Sequence, residues 1–451
     1  MLSVLMKLHL SIAALLLGMS ALAATDSSAA PTFDKDVLPI LQKNCQGCHR
    51  PGEIAPMSLI SYQEARPWAK AIKAAVLTKK MPPWFADYGH FANDPTLSET
   101  DVKTLSAWAD NGAPEGNAKD APPPLRFEDG WNIKPDMIVE MPKEFHVAAS
   151  GTINYQDFLV KVNFPEDTWV VAAEMRPGNS KVVHHGRVIV RPPGSKFMAN
   201  AIPGEAVETT SAAAGNPAEG TDLLGKYNPG LGAQHFDVED SAKFIPKGSD
   251  LVFNLHYTAV GTPQTDRSKV GLVFAKHPPK NRYWMSPGTP AAFNLAIPAG
   301  DSNAEVVSEV TVAIDDAKLV YIQPHMHLRG KDYELRLIYP TGEMQTVFKG
   351  QWNFDWQVGY QLEKPIVMPK GTRILAIAHF DNSPNNKYNP DPTKPVWWGD
   401  QNWDEMQSGF LGLIFDAHTD GSKVFKPSGP SLLPRGTSGP TLAAFTLQPA
   451  H

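Results

Sequence analysis

The sequence predicts a multidomain chain: a small all-α domain followed by two all-β domains of the jelly-roll (β-sandwich) type. Three observations predict it. Between about residues 31 and 117, apolar residues recur at helical spacing. From about residue 130 onward the pattern changes to short alternating runs bounded by Pro, Gly and Asp. The 451 residues include 41 Pro and 34 Gly, which suits many turns and short strands.

The first 23 residues are expected to stand outside the fold. Lys7 precedes an apolar run, Leu8 to Leu22, and Ala21-Leu22-Ala23 reads as a small-residue cleavage site. This is the pattern of a secretory signal peptide, and the run is short for a spanning helix. No later segment is apolar enough to cross a membrane, so the mature chain is expected to be exported, periplasmic and without stable membrane insertion. The net charge of −6 and the lack of a basic tract argue against a nucleic-acid partner.

In the helical domain, 31–117, Phe33 to Asn44 reads as a helix entering Cys45-Gln46-Gly47-Cys48-His49. That motif attaches haem c. The two thiols add to the porphyrin vinyl groups, and the adjacent imidazole ligates the iron. The alternative is a redox or zinc CxxC pair, but no second CxxC completes a zinc site. Tyr62 to Thr78 reads as a longer amphipathic helix. Ser98 to Asp101 opens a third with a capping box, and it stops at Asn111-Gly112. Met81, on the proline-stiffened stretch Met81-Pro82-Pro83-Trp84, is the expected distal ligand, since a thioether raises the haem potential. Met57 and His90 are the other candidates, and ordinary core packing is the rival role for Met81. The segment resembles the class I cytochrome c domains fused to exported bacterial enzymes. A Pro-rich stretch, 118–129, reads as a stiff linker.

The next region, 130–290, supplies strand-like runs at 137–141, 157–162, 169–175, 182–190 and 251–260, with 200–235 read as a long surface loop. His184 and His185 are neighbours on one run. Neighbouring strand residues face opposite sides, so the pair shares a metal only if the strand bulges or twists at its end. His256 sits on another strand among apolar neighbours. Three imidazoles from two strands suit copper, with hydrogen-bonded core histidines as the equal alternative.

The last region, 291–451, carries runs at 305–314, 317–324, 333–339, 373–380 and 409–414. His325 and His327 are two apart, so on a strand they face one side and can chelate one ion, copper or zinc. Met406 precedes a strand, and a thioether selects Cu(I) over zinc. Core packing is its competing role. A blue-copper centre is excluded, because it needs a Cys and both cysteines belong to the haem motif.

Val183-His184-His185, Leu255-His256-Tyr257, His325-Met326-His327-Leu328-x-Gly330 and Asp404-Glu405-Met406 stand in an order and approximate spacing that resemble the copper type II, ascorbate-dependent monooxygenases. Those include the peptidylglycine and dopamine hydroxylases, and the resemblance spans about residues 130 to 420. It implies two jelly rolls with one copper each. His184, His185 and His256 would form the electron-storing site. His325, His327 and Met406 would form the oxygen-binding, hydroxylating site, facing the first across an open cleft. The disulfides of the animal enzymes are missing here. Where the peptide-amidating branch has a carboxylate-holding Arg and Tyr, this chain has Gln323 and Phe410, which speaks against a peptidyl-glycine substrate.

The expectation is therefore a periplasmic copper monooxygenase. Its partners would be O2, a small organic substrate, and an ascorbate-like reductant or redox protein. The haem c would replace or relay the reductant. The rival expectations are a haem/copper electron-transfer protein, and an oxidase that passes electrons outward through the haem. His235 and His379 are candidates for supporting hydrogen bonds to the ligands.

Overall fold

The computed structural model describes residues 30–127, 130–209, 222–228, 231–286 and 288–427. The expected signal peptide lies outside them. The chain is mostly β-strand with few helices, and it divides into two compact units.

The first unit comprises residues up to 50, 57–80 and 97–125. Its helices are Leu38–Asn44, Ala69–Leu77 and Glu99–Asp110, the first continuing a π-helical turn at Phe33–Val37. The long helix expected over 62–78 is divided. Tyr62–Ala65 gives way to a 3-10 turn at Arg66–Trp68, where Pro67 supplies no N–H. Ser98 caps Glu99–Asp110 through the expected box with Asp101. Phe33, Val37, Leu41, Leu105 and Trp108 form the core, and the Trp108 indole N–H donates to the Pro114 carbonyl at 3.0 Å. The expected linker begins as part of this unit: Gln42 donates to the Pro123 carbonyl at 3.0 Å. Residues 81–96, which carry Met81 and His90, belong to the other unit. There Ala86–Tyr88 pairs with Met344–Gln351, and Asn93 bonds to Gly359 and Gln361.

The second unit is a pair of β-sandwiches sharing one sheet. That sheet runs Met137–Glu140, Lys269–Phe274, Thr168–Arg176, Ser241–Ile245, Asn281–Met285, Ser408–Asp416, Ala317–His325, Tyr360–Met368. A five-stranded sheet packs on its first half around Phe158, Val188, Leu251 and Phe253. A six-stranded sheet packs on its second half around Leu319, Leu335, Phe348 and Ala376. Each fully buried Leu, Val or Phe contributes about 1.5–3 kcal/mol. The sequence boundary at 290/291 therefore does not separate two sheets, because Asn281–Met285 pairs with Ser408–Asp416 across it.

The reading of 200–235 as a surface loop is corrected. Within it Asp222–Tyr227 is a fully buried strand, paired with Val183–Arg191. Its Asp, Gly and Lys are turn-like residues that mask a strand with no exposed face. Residues 210–221 lie outside the described residues.

Candidate metal centre

The strand Val183–Arg191 bulges where its histidines need it to. His185 pairs with His256, but the next partner of Tyr257 is Val183, so His184 is the unpaired extra residue. The burial alternation breaks at the same point. A bulge of this kind turns two consecutive side chains to one side. As a result His184, His185 and His256 each offer a ring nitrogen within 4.8 Å of the others. His256 Nδ1 and His185 Nε2 lie 3.3 Å apart. Two imidazole nitrogens bound to one ion at about 2.0–2.1 Å stand roughly 2.9–3.4 Å apart, so this spacing fits shared coordination. Tyr155 holds the set from one side. Its ring stacks on His256 at 4.4 Å and its hydroxyl meets His185 Nε2 at 3.2 Å.

His325 ends the strand Ala317–His325, and His327 lies two residues on, before the turn into Gly330–Ile338. Their rings stand 5.2 Å apart and nearly perpendicular. Gln357 Oε1 accepts from His325 Nδ1 at 2.9 Å, which assigns the proton to Nδ1 and leaves Nε2 as the free lone pair. The His327 Nδ1 is buried with no partner. His184 Nδ1 is likewise buried and unpartnered. Buried ring nitrogens without a partner are costly unless something binds them. The donor set therefore fits a metal better than it fits a plain core.

Glu405, the residue before Met406, is tied to the backbone of the His-x-His motif. The fully buried Glu405 carboxylate accepts from the backbone N–H of His327 at 2.9 Å, Arg329 at 2.6 Å and Met406 at 3.1 Å. One side chain thus ties the turn after the His-x-His motif to the thioether-bearing residue. Burial pushes the Glu405 carboxyl up to about 8, although those three donors and Arg329 pull it down.

The two histidine sets adjoin. The rings of His185 and His325 are 6.5 Å apart. The open cleft implied by the resemblance is corrected on this point: in this structure the sets form one cluster, since the five-stranded sheet carries His184, His185 and His256 and the shared-sheet strand Ala317–His325 ends beside them. Burial depresses the pKa of all five imidazoles, His256 to about 3 and His327 to about 4, with mutual repulsion adding to the effect at His185, His256 and His325. All are neutral near pH 7, the form in which imidazole binds metals.

Of the supporting histidines expected from sequence, His379 is committed elsewhere, to Asp332 at 2.6 Å and Glu305 at 3.6 Å. His235 is exposed on a short strand paired with Ala172. Gln357, Tyr155 and Glu405 take the supporting roles; Glu405 lies in the quoted Asp404-Glu405-Met406 stretch, whereas Gln357 and Tyr155 sit at no spacing that marks them in the sequence.

In the helical unit, Cys45 and Cys48 form no disulfide and lie on the turn that follows Leu38–Asn44, with the His49 N–H bonded to the Cys45 carbonyl at 2.9 Å. His49 Nδ1 meets the Met57 carbonyl at 3.3 Å, which leaves Nε2 for an iron. Met57 is thus engaged through its carbonyl on the His49 side. Burial and the neighbouring Cys48 push the Cys45 thiol up to about 12.

A fully buried amine completes the surroundings. Lys226 donates to Gln323 Oε1 and lies 3.4 Å from the centroid of the Phe410 ring. Burial, then the Arg187 charge, holds its pKa well below the usual lysine range.

No protein-family model matches the chain, and no curated protein matches it. Solved structures similar to parts of it include the major capsid protein P2 from bacteriophage PM2, at 8% identity and a TM-score of 0.27, over 62% of this chain and 99% of that one. PNGase F, a glycosylasparaginase from Flavobacterium meningosepticum, is similar at 11% identity and a TM-score of 0.26, over 61% and 97%. Scores this low carry no functional argument, so the sandwich architecture rests on the sheets themselves.

Proposed function

We propose that this chain is a copper-dependent monooxygenase that hydroxylates a C–H bond of a small organic substrate with O2 and receives its electrons through a haem c. The observation that carries the reading is the meeting of His184, His185 and His256, from the five-stranded sheet, with His325 and His327 at the end of a shared-sheet strand, with two buried ring nitrogens left unpartnered. His184, His185 and His256 would hold one copper, and His325, His327 and Met406 the other. Cys45, Cys48 and His49 would hold the haem. Bound there, the coppers supply the two one-electron couples and the O2-reactive Cu(I) state, and the haem supplies single electrons.

The chain's own residues do the remaining work. Gln357 fixes which nitrogen of His325 is free. Tyr155 clamps His256 and His185. Glu405 accepts from the backbone N–H groups of both His327 and Met406. Burial keeps the ligands unprotonated and excludes water.

The test is stopped-flow mixing of the reduced, copper-loaded protein with O2 and a panel of organic substrates, with the haem followed by its visible absorption. The reading predicts haem oxidation in step with product. A haem that stays reduced while product forms removes its role. No product with any substrate favours a plain electron-transfer protein.

A further inference from the structure

The ladder that leads to the second metal set stops short of it. Ala317–His325 and Ser408–Asp416 pair as far as a last rung between His325 and Ser408. His327 and Met406 lie beyond that rung, where no strand pairing fixes them. Glu405 joins their backbones by accepting from both N–H groups. That bond does not set where they stand relative to His184, His185 and His256, which come from the five-stranded sheet.

The stretch 397–405 supplies the missing tie. It is a preformed loop. The Glu405 N–H donates to the Trp397 carbonyl at 3.1 Å, the Gly399 N–H to the Glu405 carbonyl at 3.1 Å, and the Asp404 N–H to the Gln401 carbonyl at 3.0 Å. The Asp404 carboxylate accepts from the Gln401 N–H at 3.3 Å and packs against Gly399, where a Cβ would collide with it. Arg329, two residues past the His-x-His pair, donates to the Trp403 carbonyl at 2.8 Å. The loop is therefore bound to the second set as one body. Its Gln401 side chain reaches out of that body, and Nε2 donates to Asn154 Oδ1 at 2.9 Å, 247 residues away in the chain. Asn154 is anchored on the first set's side. Its carbonyl accepts from Gln156 Nε2 at 2.9 Å, and Gln156 pairs with Leu255, next to His256. Its other neighbour in the chain, Tyr155, stacks on His256 and meets His185.

We propose that the Gln401–Asn154 hydrogen bond sets the spacing between the two histidine sets, with Gln401 and Asn154 as positioning residues. This rests on the two-metal reading above and adds to it two side chains that bond to none of the proposed ligands. The tie runs from His327 through Glu405 and its loop to Gln401, then through Asn154 and Tyr155 to His185 and His256. The bond joins two neutral amides that are both half-buried. Its net contribution shifts an equilibrium about two- to tenfold. A tie of that strength fixes the spacing in most molecules without locking it.

Two measurements on the full chain test this. In the metal-free protein, hydrogen–deuterium exchange over 398–406 is read by mass spectrometry. Gln401→Leu should speed it about two- to tenfold. Asn154→Ala, far away in the chain, should speed it equally, and the double variant should go no further than either single one. Unchanged exchange in Asn154→Ala, or effects that add in the double variant, overturn the inference. After loading with Cu(II), electron paramagnetic resonance reads the dipolar coupling between the two ions. The wild type should show one narrow distribution of spacings. Both single variants should show a broader one at unchanged copper content. The same distribution in all three proteins overturns the inference and leaves the two-copper reading standing. A chain that takes up no Cu(II) refutes that reading, and the exchange result then decides for or against the tie by itself.

Discussion

Replacing Gln357 by Leu probes the metal centre without touching a ligand. Gln357 is 5% exposed, and its Oε1 accepts from His325 Nδ1 at 2.9 Å and from Asn228 Nδ2 at 3.4 Å. Leucine preserves the bulk and removes the acceptor. The His325 N–H is then buried without a partner, which costs about 1–3 kcal/mol of fold stability. The backbone carbonyl of residue 357 still accepts from Gln323, so the wall of the site stays in place. The larger consequence is for the ligand. With no acceptor to fix the proton on Nδ1, the ring samples the wrong tautomer and orientation. Loss of such an outer partner typically lowers metal affinity about 10–100-fold, or about 1.4–2.7 kcal/mol. Chelator-competition titration of copper resolves this, because the His184, His185 and His256 set serves as an internal reference. One of the two copper affinities should fall while the other holds. Equal weakening of both sites, or no weakening, would refute the reasoning about His325.

Other perturbations follow from the same geometry. Glu405→Ala leaves the N–H groups of His327, Arg329 and Met406 without their acceptor, at roughly 3–6 kcal/mol. Denaturant unfolding should show that loss, and X-ray absorption of the copper-loaded variant should lose its sulfur scatterer. An unaltered sulfur signal would mean that Met406 is placed by something else. In the metal-free protein the buried histidines have folded pKa values below their unfolded value of about 6.5. The unfolded chain therefore binds more protons between there and pH 3–4. Their contribution to stability is complete above about pH 6.5 and is lost as pH falls toward 4. Chemical unfolding across pH 4–8 checks this, and a flat profile contradicts it. Trp108→Ala removes the fully buried anchor of the helical unit and its bond to the Pro114 carbonyl, at about 3–5 kcal/mol. Loss of haem incorporation during expression is the expected readout.

What the sequence revealed tracks how local each signal is. The capping box at Ser98 is contiguous and could be read directly. His325-x-His327 was legible as a close pair, although the strand ends at His325 and His327 reaches it from the chain beyond. His184 and His185 were ambiguous, since adjacency becomes useful only with a bulge, and the bulge arises from pairing with His256 seventy-one residues away. The strands were readable one by one, but the single sheet running through both halves was not, because strand patterns do not name their partners. Lys226 was hidden inside a segment rich in turn-forming residues. Gln357 and Glu405 lie on irregular chain, where no periodicity marks a residue. Their roles come only from what they touch.

The central claim is most directly tested by counting metals on the purified full chain, with elemental analysis for copper and zinc and a pyridine haemochrome assay for the porphyrin. The account predicts two coppers and one covalent haem in each molecule, with one copper lost in His184→Ala and the other in His325→Ala. A fully haem-loaded protein that holds no copper after incubation with Cu(I), or fills both positions with zinc in preference to Cu(I), would contradict it.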